Sequence, residues 1–208
     1  MSPSPAPIKV GVVLFAGFNV LDVFGPLEML SWVPGGAEIR MLAEEPGNIA
    51  SGEGPGCLAD AALGGEHGLD ILLVPGGMGT RREVQNQPFI DELARQCAQA
   101  RLVAGVCTGS ALLARAGVLD GRRATTNKRA FGWVASQGPK VDWVAEARWV
   151  EDGNIFTSSG VSAGMDMALG IVAHLFDRAM SVEIAARAEY EWHEDKAWDP
   201  FAKLNGLA

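Results

Sequence analysis

Cysteine is scarce and unpatterned in this chain. Cys57, Cys97 and Cys107 are an odd number with neither CxxC nor Cys/His metal spacing, which favours free thiols in a reducing compartment over a disulfide framework or a zinc site. Histidine is limited to His67, His174 and His193, and His193-Glu194 lacks the second histidine of HExxH, which excludes a zincin. GxGxxG and GxxxxGK[ST] are absent, so neither glycine-rich phosphate fingerprint is present. Basic charge is short, with 17 Lys and Arg against 25 Asp and Glu and a net charge of −8. That balance argues against nucleic acid or an anionic membrane as partner. No apolar run approaches the roughly 18 to 20 residues of a membrane span. The first seven residues, MSPSPAP, lack the basic residue and apolar stretch of a signal peptide, so a cytoplasmic location is expected. What remains is 208 residues, 48% apolar and 20% charged, enough for a sizeable core. With no internal repeat or interdomain linker, one domain over residues 1–208 is expected, residues 1–7 forming a flexible tail.

The order of elements follows from hydrophobic patterning. Residues 8–15 (IKVGVVLF), 69–74 (LDILLV) and 101–106 (RLVAGV) are nearly continuous apolar runs of the kind that form parallel strands covered on both faces. A helix is predicted over 22–32, ended by Pro34-Gly-Gly, then a short strand near 38–42. The Gly-rich stretch 46–68 is weakly patterned and compatible with hairpin strands. A helix over 87–100 places Phe89, Leu93 and Cys97 on one stripe. Another is predicted to begin at Cys107 and end at Gly117. Asp152-Gly-Asn marks a hairpin between strands 145–151 and 155–159. Ser162 is positioned to cap an apolar helix reaching about 177, and 181–191 reads as the last helix. Strands alternating with helices predict an α/β fold, a mainly parallel sheet with helices on both faces.

Cys107 is the leading chemical candidate, because a thiol between a buried strand and a helix N-terminus meets the positive end of the helix dipole. Its flanking Gly105 and Gly109 leave room for a sharp turn. A buried structural cysteine is the alternative reading. Cys97 on its apolar stripe and Cys57 in its Gly-rich loop read as structural, and the three histidines as structural or solvated. Asp22 opens the first helix after the first strand, either as a functional carboxylate or as an ordinary N-terminal helix acid. Pro75-Gly76-Gly77-Met78-Gly79 ends another strand with free backbone N–H groups, either an oxyanion-type pocket or a plain glycine turn.

Taken together, Leu21-Asp22-x-x-Gly25-Pro26, the Pro75-Gly-Gly77 turn, Val106-Cys107-Thr108-Gly109-Ser110, Arg123-Ala-Thr-Thr126 and Ser159-Gly-Val-Ser-Ala-Gly164 resemble the ThiJ/PfpI superfamily. The likeness runs from about residue 8 to 191. It implies a three-layer flavodoxin-like sandwich of the class I glutamine amidotransferase-like type, a small-molecule substrate and a homodimer. Many members place a glutamate beside the cysteine, whereas Asp22 is similar to the shorter acid of the isocyanide hydratase subgroup. The resemblance therefore implies hydration of an isocyanide to an N-substituted formamide through a thioimidate on Cys107. Asp22 would move the protons, Thr108 would orient Asp22 or water, and Gly76, Gly77 and Met78 would contact substrate, with no metal or organic cofactor. Members with a Cys-His pair carry a histidine where Asn127-Lys128 stands here, which argues against amide hydrolysis. Two alternatives stay open: glyoxalase-like chemistry on small dicarbonyls, and a non-catalytic ligand- or redox-sensing domain. The latter resembles the ligand domain of AraC-type regulators, whose C-terminal helix-turn-helix has no expected counterpart in the acidic segment 189–199.

Overall fold

The structure, a computed structural model, describes residues 5–208. Residues 1–4 of the expected tail lie outside that range. Residues 5–7 have no regular structure and pass beside Gly35, where any side chain would meet the Pro5 and Ala6 carbonyls.

The elements in chain order are β1 (Ile8–Val13), α1 (Val20–Ser31), β2 (Ala37–Ala43), β3 (Gly47–Ala50), β4 (Gly56–Ala59), β5 (Ala61–Ala62) and β6 (Ile71–Val74). Then come α2 (Thr80–Glu83), α3 (Gln87–Gln99), β7 (Leu102–Val106), α4 (Gly109–Arg115), β8 (Arg123–Ala124), α5 (Phe131–Gln137) and β9 (Asp142–Trp143). The chain closes with β10 (Trp149–Asp152), β11 (Ile155–Ser158), α6 (Ala163–Leu175), α7 (Arg178–Arg187) and α8 (Pro200–Leu204).

The main sheet runs β10-β11-β7-β6-β1-β2-β5, parallel throughout except for the edge strand β10. Counting only its long parallel strands, this is the 2-1-3-4-5 order of flavodoxin-like folds, whose order reverses between β1 and β6. Every residue of β6 and β7 is buried, which is why these strands read as unbroken apolar runs rather than alternating ones. Helices α1, α6 and α7 pack together on one face, and α2 to α5 on the other. Among the described residues no helix is long and apolar enough to cross a membrane.

The motif glycines explain one crossing. A side chain at Gly25 would meet Met165 of α6, and one at Gly164 would lie 3.2 Å from Pro26 of α1. Small residues on both helices thus let α1 and α6 approach closely. Pro26 also lacks an N–H to give the Asp22 carbonyl, loosening the first turn of α1.

Several local expectations change. The Gly-rich stretch does form an antiparallel hairpin, β3-β4, outside the main sheet. Ser162 does not cap α6: its backbone is already helical, and its hydroxyl instead accepts from Arg148 Nη2 at 3.2 Å. The helix expected over 181–191 begins at Arg178, because the Asp177 side chain accepts the Met180 N–H at 2.8 Å. It is not the last, since Asp199 caps α8 through the Phe201 N–H at 2.9 Å. Helices α2 and α5 are too short to leave a periodic signal.

The segment after α7 is held by buried charge. Arg148 Nη2 lies 2.8 Å from Asp166 Oδ2, and Asp166 Oδ1 accepts from the Tyr190 hydroxyl at 3.0 Å and the His193 N–H at 2.8 Å. Removing one member of such a pair strands the other without compensation. Arg148→Met should therefore lose about 3 to 5 kcal/mol of stability. Urea denaturation followed by tryptophan fluorescence measures it, and a loss below about 1 kcal/mol would mean that the pair does not hold the segment.

Candidate active site

Three backbone segments meet at the carboxyl ends of β1, β6 and β7, beside the reversal in strand order where ligands bind open α/β sheets. The Asn19 N–H donates to the Gly76 carbonyl at 2.8 Å and the Gly79 N–H to the Gly17 carbonyl at 3.1 Å. The loop of the β3-β4 hairpin joins them, with the Gly52 N–H donating to the Phe18 carbonyl at 2.8 Å. A Cβ at Gly76 would lie 2.6 Å from the Thr108 nitrogen and 2.8 Å from Asp22 Oδ2, so only glycine fits. Gly77 has φ +132° and is pressed against the Gly17 carbonyl, which likewise demands glycine.

Asp22 projects inward from the first turn of α1 and is fully buried. Its Oδ2 accepts the Gly76 N–H at 2.9 Å, while Oδ1 is buried and makes no hydrogen bond. The start of α1 is steadied from the hairpin loop, where Glu53 accepts from Asn19 Nδ2 at 3.0 Å and from the Val20 N–H at 3.1 Å.

Cys107 lies at the turn between β7 and α4 with φ +56°, the left-handed region that an L-residue enters only under strain of order 1 to 3 kcal/mol. Its surroundings over-determine that conformation. The Cys107 N–H donates to the Ser158 carbonyl at 3.2 Å, and its own carbonyl accepts from Thr126 Oγ1 at 2.7 Å and Ser110 Oγ at 3.3 Å. The Asp22 carboxyl, the Thr108 N–H and the Asn127 side chain all act on the protonation of the thiol.

Contrary to the helix-dipole expectation, the thiol is not acidified. Helix α4 begins at Gly109, two residues later than expected. Burial first, and then the negative charge of Asp22, push the Cys107 thiol up, against smaller downward pulls from the Thr108 N–H and Asn127. Burial also raises Asp22 from its ordinary 3.8 to about 7, opposed by the Gly76 N–H and the thiol and reinforced by the charge of Glu53. The two groups therefore titrate as a pair that keeps one proton between them above neutrality.

A cavity of about 490 Å³ opens onto the sulfur. Cys107, Thr108, Gly77 and the exposed Met78 line it, whereas Gly76 does not. The Gly76 N–H is taken by Asp22 and the Gly77 N–H by Thr108 Oγ1 at 3.0 Å. Both N–H groups already have a partner, and the one at Gly76 holds the acid in place. Besides accepting from Gly77, the Thr108 hydroxyl meets Thr80 Oγ1 at 3.3 Å; both partners belong to the glycine turn and the helix after it rather than to Asp22.

Sequence reasoning missed Asn127 as a partner of the sulfur. It stood out in sequence only as a departure from the histidine that the family resemblance implies; its Oδ1 accepts the Ala130 N–H at 3.0 Å, leaving its amide N–H groups for the cavity. Glu53 and Arg129 from loops, Arg81 from α2 and Val161 from the 159–164 motif also line the cavity. None of the three histidines lines it; they contact Gln99, Glu151 and the Trp198 carbonyl. Cys97 is buried on α3 and Cys57 half-buried on β4, both outside this cavity.

Residues 8–174 match the DJ-1/PfpI family. The chain is 33% identical over 181 residues to the isonitrile hydratase of Pseudomonas putida, an alignment covering 85% of this chain and 77% of that protein. It is 30% identical over 190 residues to the transcriptional regulator GbdR of Pseudomonas aeruginosa, covering 89% of this chain but only 51% of the regulator. The chain thus spans about half the length of that relative. Among solved structures, a ThiJ/PfpI family protein from Pseudomonas syringae superposes with a TM-score of 0.82 at 30% identity, covering 92% of this chain and 79% of that one.

The buried carboxyl makes a prediction about stability. An acid raised by folding from 3.8 to about 7 binds its proton more tightly in the native state, so its contribution is fullest below pH 3.8 and is lost as pH rises through 7. The resulting penalty at pH 8 is on the order of 4 kcal/mol at most. Asn carries no such penalty. Asp22→Asn should therefore be more stable than the parent at pH 8, with the gap narrowing toward pH 5 in thermal unfolding, and an equal gap at both pH values would refute the raised carboxyl.

Proposed function

The chain belongs to the DJ-1/PfpI family, and from that premise we propose that it is an isonitrile hydratase, converting an isonitrile and water to an N-substituted formamide with Cys107 as nucleophile. One observation carries this reading: the Cys107 thiol is coupled to a fully buried aspartate, Asp22, which burial raises to about 7, and no histidine lines the cavity. The similarity to the Pseudomonas putida isonitrile hydratase supports it. The reading treats residues 1–208 as one ThiJ/PfpI-type domain, working without a cofactor as a cytoplasmic homodimer.

A terminal isonitrile carbon accepts both a nucleophile and a proton. With one proton held between thiol and carboxyl, Asp22 takes it as the sulfur attacks and delivers it to that carbon, leaving Cys–S–CH=N–R and a carboxylate. Water then attacks the thioimidate carbon while Asp22 accepts its proton and passes it to nitrogen, giving a tetrahedral adduct. Collapse expels the sulfur, which recovers the remaining proton, and R–NH–CHO departs. The sum is one isonitrile plus one water. Asn127 and the Thr108 N–H, the two groups that pull the thiol down, favour the sulfur anion as it attacks and leaves. A short acid suits this chemistry because it leaves space beside the sulfur for the linear N≡C group.

Below about pH 7 both members of the pair hold protons and no base remains, so kcat/KM for an aromatic isonitrile should rise as pH passes through that region. Asp22→Asn should lower kcat roughly 100-fold or more and remove that inflection. Cys107→Ala should abolish turnover with the fold intact by circular dichroism, whereas substantial residual activity would end the covalent reading. Asp22→Glu fills the space beside the sulfur and should lose hydration while still able to exchange protons; unchanged hydration there would remove the reason for preferring isonitriles. Methylglyoxal assayed in parallel tests the dicarbonyl alternative.

A further inference from the structure

A second cleft, of about 620 Å³, adjoins the cavity at Cys107 and shares Asn127, Arg129 and Val161 with it. Its remaining walls expose mostly apolar surface and come from far apart in sequence: Leu21 on α1, Lys128, the 159–162 turn before α6, and Phe201, Leu204 and Asn205 at α8. Leu21, Phe201 and Leu204 are exposed, Leu204 at 78%, although they stand beside a buried site. Leu21 precedes Asp22 directly, so neighbouring residues of α1 serve the two hollows.

Helix α8 has only five residues and would not hold its place alone. It is fixed by Asp199, which is almost fully buried, caps the helix and lies 4.0 Å from Arg148 Nη1. Arg148 is itself paired with Asp166, and Lys128, on the cleft wall, is buried with its Nζ bonded to Thr125 Oγ1 at 2.8 Å and the Ala147 carbonyl at 2.6 Å. A rigid charged foundation beneath an apolar wall is the arrangement of a built ligand site, with polar groups fixing the frame and apolar ones contacting the guest.

Resting on the isonitrile reading above, the geometry points to this cleft as the subsite for the substrate's N-substituent, and to Phe201 and Leu204 as residues that select for a large apolar group. An isonitrile is linear at nitrogen, so a carbon seated at the Cys107 sulfur sends its substituent outward along one direction. The cleft adjoins the cavity along Asn127, Arg129 and Val161, so a substituent that passes those residues enters it. The substrate class assigned is therefore an isonitrile bearing an aryl, aralkyl or bulky alkyl group rather than a small polar one.

The test compares benzyl isocyanide with methyl isocyanide in the parent, Phe201→Ala and Leu204→Ala. It adds calorimetric binding of the product N-benzylformamide to Cys107→Ala protein, with and without Phe201→Ala. Truncating the wall should lower kcat/KM for the benzyl substrate about tenfold or more while changing the methyl substrate less than about twofold, and should weaken product binding about tenfold. An unchanged benzyl-to-methyl ratio overturns the assignment. So does an equal loss on both substrates accompanied by a change in sedimentation, which would make the cleft a contact between copies of the chain. If the parent hydrates neither isocyanide yet Phe201→Ala still weakens binding of N-benzylformamide, the isonitrile reading falls and the cleft stands as an apolar subsite. Absence of any such binding removes the cleft itself.

Discussion

Everything at the site depends on how closely three strand ends can approach where β1, β6 and β7 deliver their loops. That approach is limited by backbone volume, and Gly76 is its tightest point, with Asp22 Oδ2 and the Thr108 nitrogen both inside the space that a Cβ would claim. Because nothing intervenes, the Gly76 N–H can hold Asp22 from one side while the sulfur faces it from the other. Gly77, bent into φ +132° beside it, sends its own N–H to Thr108 and ties the glycine turn to the cysteine elbow. A single backbone constraint thus positions both the acid and the turn that carries the thiol.

The same crowding sets the electrostatics. A carboxyl sealed from water gains little from one backbone donor, so desolvation dominates and lifts it to about 7. The thiol is lifted by the same burial and by the acid's charge. Two groups that each resist ionisation in the other's presence hold one proton between them, which suits a reaction that must protonate carbon and later deprotonate water. The cost to the fold is a strained cysteine and a buried acid with an unbonded oxygen, both features that clusters of function tolerate and cores avoid.

Farther out, the chain after α7 brings no strand to the sheet, yet it is pinned by buried ions rather than by apolar packing alone. Asp166 gathers Arg148, the Tyr190 hydroxyl and the His193 N–H, and Asp199 lies against the same arginine. Ion pairs of this kind contribute little net stability but define one geometry. Here that geometry places α8 on the cleft that adjoins the cavity at Cys107.

The α/β class, the buried parallel strands and the cysteine at a strand-to-helix turn were legible in sequence because each is local: an apolar run, a glycine after it, a helical stripe. Asp22 and Cys107 could be named for the same reason, each lying just past a strand and the motif residues Gly25, Gly109 and Gly164 recording close contacts. Tertiary structure alone decided the charge state of the thiol. A helix dipole is readable from order along the chain, whereas desolvation and the field of a carboxylate 85 positions away (107 − 22) depend on distance in space. It also gave the Gly76 N–H a partner in Asp22, since a backbone N–H that looks free in a glycine turn is free only if nothing else reaches it. Glu53 and α8 were invisible for that reason too: they carry no periodicity or motif, and each acquires its place from a partner on a distant segment.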